Sequence, residues 1–223
     1  MSKDMTFTES MFFSDFHPKI LGHLKYAVQQ GYIICAKCIE DYDFLKDFIA
    51  KRDRARLQNT AVEYAIKIRA ERYDLDIVAS HANNIRGSFP HYNFHVGKSI
   101  FTVSRTDKYD SLPRDADFRN MNSAINSQVE LVNDGTSLIV PEFFDSVEKY
   151  YSILTFGGTS DVEFMHLGVP NPNITRWMFQ YNLANALSLV EKPILQTENI
   201  TKQDVMSVKD EFVKRNKDVS ESE

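Results

Sequence analysis

Apolar residues recur at helical spacing through the first third of the chain and switch to two-residue alternation near its middle. After Pro18, a residue suited to the first turn of a helix, Ile20, Leu21, Leu24 and Val28 fall on one face. Gly31 is expected to close that helix, because glycine adopts positive φ at no steric cost. A second helix is predicted over residues 32–51, with Ile34, Cys38, Leu45 and Phe48 on a broad apolar face. Thr60 followed by Glu63 has capping-box spacing and predicts a third helix running to about Tyr73. Residues 75–85 read as a continuation of this helical block.

The period then becomes two. Tyr92, Phe94 and Val96 alternate with His91, Asn93 and His95, and Gly97-Lys98 suits a two-residue hairpin turn. That turn sets Phe94 opposite Phe101 and Tyr92 opposite Val103. It sets His95 opposite Ile100 on the other face, so turn chemistry and polarity agree on the register. A second hairpin is expected around residues 157–161, pairing Phe156 with Val162, Leu154 with Phe164 and Ile153 with Met165. Both of its faces are apolar, which predicts a central strand pair covered on each side.

Residues 106–134 are polar and predict a loop with a short helix. Residues 138–140 and 189–190 read as short strands, and residues 169–173 as a turn leading into the aromatic segment of Trp177, Phe179 and Tyr181. Thr201 and Asp204 suggest the cap of a last helix. The pattern predicts an α+β fold in one domain, residues 1–215. A helical part (15–88) packs on a mainly antiparallel sheet built from two hairpins (89–195), followed by a C-terminal helix (201–214) and a disordered tail (216–223).

Composition narrows the class. Of 223 residues, 43% are hydrophobic and 26% charged, the balance of a globular chain rather than a disordered one. Net charge is −5, yet residues 51–72 carry seven Lys or Arg against three Asp or Glu. This stretch is therefore +4 on a chain otherwise at −9, and a phosphate-bearing or acidic partner becomes a candidate. No secretory pattern or membrane-length apolar run is visible, and two cysteines make no disulfide framework. The expectation is a cytoplasmic protein without a membrane partner.

Several chemistries can be tested against the residues. Cys35 and Cys38 form a CxxC, and with His17 and His23 they would supply four zinc-type ligands if successive helices folded back. The apolar surroundings favour two buried thiols instead, so no cofactor is expected, with zinc as the one candidate. His91 and His95 share a strand face but stand about 13 Å apart along it, too far to chelate one ion. They are candidates for proton transfer, as is the charged segment holding Asp115, Asp117 and Arg119. A two-metal nuclease needs a carboxylate and a lysine close together on one strand, and neither hairpin has Glu-x-Lys or Asp-x-Lys. No P-loop or Gly-x-Ser-x-Gly elbow occurs. For nucleic acid, the basic residues Lys51, Arg52, Arg54, Arg56, Lys67, Arg69 and Arg72 are the candidate contacts, with Arg86, Arg105, Arg114 and Arg119 as further raw material.

Asn84-Ile85-Arg86 with the first hairpin, the segment 112–119 and Ile153-Leu154-Thr155-Phe156-Gly157-Gly158 together resemble uncharacterised proteins carried by bacteria and their phages. The resemblance spans about the middle half of the chain. It implies an accessory role in regulation or host–phage conflict and transfers no catalytic residue. Three readings follow. The first is a non-catalytic interaction or regulatory protein that binds a protein partner. The second is a nucleic-acid-binding protein using the 51–72 helix. The third is a hydrolase- or nuclease-like enzyme with a His/Asp/Arg site.

Overall fold

The computed structural model describes residues 7–82, 90–129, 148–186 and 206–207. The helices are α1 (Phe7–Asp15), α2 (Pro18–Asp41), α3 (Asp43–Lys46), α4 (Arg54–Arg72) and α5 (Asp117–Ser123). The class is α+β, with α1, α2 and α4 on one face of a single six-stranded sheet and α5 on the other. The strands are β1 (Val78–Ala82), β2 (His91–Val96), β3 (Ser99–Arg105), β4 (Tyr150–Gly157), β5 (Phe164–Pro170) and β6 (Trp177–Asn182). They lie in sequence order, and every neighbouring pair is antiparallel except β3 and β4.

Gly31 does not end a helix. It lies inside α2, where a Cβ would come within 2.7–2.8 Å of the Val62 backbone on α4. Glycine is needed there because the two helices meet almost backbone to backbone. The predicted 32–51 helix is therefore the second half of α2, then α3, then a 3₁₀ turn at Ile49–Asp53. Thr60 is not a cap either. α4 has already begun at Arg54, and both Thr60 and Glu63 are buried within it. Beside this helix pair, Arg69 Nε donates to His23 Nδ1 at 2.9 Å. Burial, then the charges of Arg69 and Lys19, push the His23 pKa down to about 4.

The first hairpin has the expected register, with Phe94 opposite Phe101 and His95 opposite Ile100, and Gly97 takes φ +53° in the turn. The second is displaced by three residues: Phe156 pairs with Met165 and Leu154 with Leu167. Its turn is longer than expected, closed by Glu163 N–H donating to the Gly157 carbonyl at 2.9 Å. Every residue of β4 is buried, so polarity could not fix the register. Residues 75–85 contain β1 rather than more helix, since a short apolar run fits either period. The aromatic segment after Asn171 is β6, and α1 was not anticipated. The two hairpins thus belong to one sheet joined through the parallel β3–β4 pair. The strands expected at 138–140 and 189–190, the 201–214 helix and the 216–223 tail lie outside the described residues, apart from a helical Met206–Ser207.

Strand alternation divides the sheet into two unlike faces. Phe94, Phe101, Val103, Leu154, Phe156, Leu167 and Val169 form the helix-covered core. Phe16 meets Phe101 and Tyr32 meets Phe156, both at 5.8 Å between ring centroids, while Phe12 of α1 lies 4.9 Å from Phe179. The other face carries His91, Asn93, Thr102, Ser104, Tyr151, Thr155 and His166. Over it pass the segment after β3 and α5, anchored by Asn126. The Asn126 side chain donates to the Tyr151 and Pro170 carbonyls at 2.9 and 2.8 Å and accepts from Tyr151 N–H at 2.7 Å.

The α2–α4 contact gives a direct test. Gly31→Ala gains about 1 kcal/mol in helix propensity, but overpacking costs about 1–3 kcal/mol. The collision is with backbone, which puts the cost at the upper end, about 2–3 kcal/mol, so the variant is expected to lose about 1–2 kcal/mol net in urea unfolding. Unchanged or increased stability would show that the helices are not in this close contact.

Candidate ligand cleft

Strand β3 ends at Arg105, and the chain turns away over the polar face instead of pairing onward. On the opposite side the first half of α4 stands above the same strand end. Between them opens a cleft of about 720 Å³, lined by Arg56, Asn59, Thr60 and Glu63 of α4, by Pro90 and His91 at the start of β2, by the end of β3, and by the segment from Thr106 to Arg119.

Its charge is strongly one-sided. Arg56, Arg105, Lys108, Arg114 and Arg119 line it against two carboxylates, Glu63 and Asp107. Arg105 Nη1 donates to Asp107 at 3.2 Å and Nη2 to the Gly158 carbonyl at 3.2 Å. That carbonyl also accepts from Tyr32 OH at 3.2 Å, and Gln58 Nε2 donates to the Thr159 carbonyl at 2.9 Å, so the loop behind Arg105 is tied to α2 and α4. Arg119 Nη1 donates to the Arg114 carbonyl at 2.9 Å and Nη2 to Ser104 Oγ at 3.1 Å. Both arginines keep a buried Nε–H for which the described residues offer no acceptor. A buried donor left unmade is costly, so each guanidinium is held at some expense to the fold.

Glu63 is 1% exposed and accepts from Asn59 Nδ2 at 2.8 Å. A carboxylate cannot donate, so this bond fixes the Asn59 amide with its oxygen turned away. That oxygen, Asn59 Oδ1, is buried with no donor among the described residues. Burial pulls the Arg119 pKa below its ordinary value, opposed by Tyr151, Glu63 and Asp115. One wall is apolar: the His91 and Phe118 rings lie 4.0 Å apart at 32°, and the Arg119 guanidinium sits 4.7 Å from the Phe118 centroid. Pro90 and Leu112 extend this wall.

Of the five residues singled out for proton transfer, His91 and Arg119 meet in the cleft and three do not line it. His95 is tied to Ser80 at 2.9 Å, and burial, then Lys149, lowers its pKa. Asp115 accepts from Asn120 Nδ2 at 2.6 Å, and Asp117 is exposed at the start of α5. The basic residues of 51–72 form no single stripe. Lys67 sits over the Tyr92 ring and Arg69 over Tyr26 and Tyr73, while Arg56 joins the cleft and Lys51, Arg52 and Arg72 are exposed.

The four zinc-type residues do not converge. His17, His23, Cys35 and Cys38 follow one continuous helix, on which twelve residues span about 18 Å. Burial pushes the Cys35 thiol up to about 12 and the Cys38 thiol to about 11. Among the described residues no group of three or more His, Cys, Asp or Glu is placed to hold a metal ion. No described helix is long and apolar enough to cross a membrane.

Sequence reasoning missed Glu63 and Asn59 as site residues, because Glu63 was assigned to a cap. Their spacing of four residues, which sets both on one face of α4, was the available signal. Set beside protein-family models, curated proteins and solved structures, the chain matches none.

The Glu63–Arg119 pairing is testable by a double-mutant cycle. Glu63→Gln and Arg119→Met should show a coupling of about 1 kcal/mol or more in urea unfolding. Additivity within about 0.5 kcal/mol would mean that the two charges do not interact.

Proposed function

We propose that the protein acts by binding, and that its cleft takes up a phosphate-bearing small molecule. The observation that carries this reading is the cleft's excess of positive charge, five cationic side chains against two carboxylates, with Arg105 and Arg119 fixed by protein carbonyls. Guanidinium groups so held are preorganised for a phosphate's oxygens, and Arg56, Lys108 and Arg114 add long-range attraction. Two-metal hydrolysis is less well served: two carboxylates among five cations give a field that repels divalent ions. A regulatory role, in the host–phage setting that the bacterial and phage resemblance implies, would then be exercised through the bound molecule.

Pyrophosphate is the probe. It should raise the melting temperature in the millimolar range, as a ligand of the native state must. Arg56→Glu with Lys108→Glu should weaken binding about tenfold or more in calorimetry, and 1 M salt should do the same. No protection of the unaltered protein would end this reading.

Phe44, Phe48 and Ile49, which are 57%, 81% and 65% exposed, favour a second reading in which the protein docks a protein partner. A photocrosslinker at Phe48 should then trap one discrete partner in the source cell. The same group at exposed Lys19 should not, and equal trapping at both positions would argue against a docking surface.

A further inference from the structure

Resting on the phosphate reading, we infer that the cleft's ligand is a free nucleoside phosphate, with its phosphates at Arg105 and Arg119 and its base along the wall of His91, Phe118 and Leu112. The cleft is far too large for inorganic phosphate alone. Its volume of about 720 Å³ falls within the range of about 300–1,000 Å³ typical of small-molecule sites. It also joins three chemistries that few metabolite classes satisfy together.

Five cationic side chains against two carboxylates call for an anion. His91, Phe118 and Leu112 together give the cleft a largely apolar wall. Asn59 and Ser111, which also line the cleft, offer polar partners to hydroxyl or amino groups on the ligand. A sugar phosphate provides an anion and donors but no flat apolar body. An aromatic acid provides a flat body and an anion but few donors. A nucleoside phosphate supplies all three: phosphates for the arginines, a base face for the wall, and an exocyclic amino group or ribose hydroxyl for Asn59.

The test is calorimetric titration of the full chain with adenosine and guanosine mono-, di- and triphosphates, pyrophosphate, the two nucleosides, and a short 5′-phosphorylated oligonucleotide. At least one nucleotide should bind about tenfold or more tightly than pyrophosphate and than its own nucleoside, the gain expected for one stacked base. Leu112→Ser and Asn59→Leu should each lower nucleotide affinity more than pyrophosphate affinity. Leu112 is half-buried and its variant carries the test if Asn59→Leu fails to fold. Pyrophosphate binding as tightly as every nucleotide would overturn the nucleotide assignment and leave the phosphate reading standing. Absence of binding by pyrophosphate and nucleotides alike would remove both. Tight binding of the oligonucleotide with none of the free nucleotides would overturn the assignment in favour of a nucleic-acid end.

Discussion

The parallel ladder between β3 and β4, from Ser99 opposite Tyr150 to Arg105 opposite Phe156, joins the two halves of the sheet. An antiparallel neighbour can follow after a tight turn, but a parallel one requires the chain to travel back along the sheet. The first stretch of that connection, Thr106 to Val129, covers the polar face. The cleft is a by-product of this excursion: where the connection lifts off β3, a gap opens that α4 bounds from the other side. Asn126 shows how firmly the return is held, since its side chain bonds both β4 and β5.

Electrostatics explain why the gap is not simply packed shut. Five cationic side chains converge on it while the chain as a whole is acidic. Arg105 and Arg119 are pinned by backbone carbonyls, Gly158 and Arg114, while Asp107 offsets part of the Arg105 charge. Glu63 offsets part of the charge from beneath, held by Asn59. The site therefore combines fixed geometry with an excess of positive charge, the arrangement that would bind an anion with little reorganisation.

How far the sequence disclosed this depends on whether two independent signals agreed. At Gly97 the turn residue and the alternation of His91, Asn93 and His95 pointed to one register, and the structure has it. Along β4 both faces are apolar, so only the turn could choose, and the pairing moved by three residues. Gly31 was ambiguous for a different reason: a glycine inside a helical pattern looks the same whether it ends the helix or admits a neighbour. The parallel joint left no local mark at all. For that reason His91, Arg105, Arg114 and Arg119 were visible as individual candidates, but their meeting with Glu63 and Arg56 was not.

The placement of the cleft also bears on when it comes into being. Its walls come from α4, from β2 and β3, and from the segment that follows β3, whereas Gly158, which steadies Arg105, arrives only with β4. The β3–β4 joint links residues about fifty positions apart, and such long-range pairing forms slowly because loop closure must precede the contacts that reward it. A chain that has assembled only its local hairpins has Arg119 with its local anchors but lacks the Gly158 anchor of Arg105. Affinity for the proposed phosphate ligand would thereby be a property of the finished fold, weaker in the partly folded states that precede it.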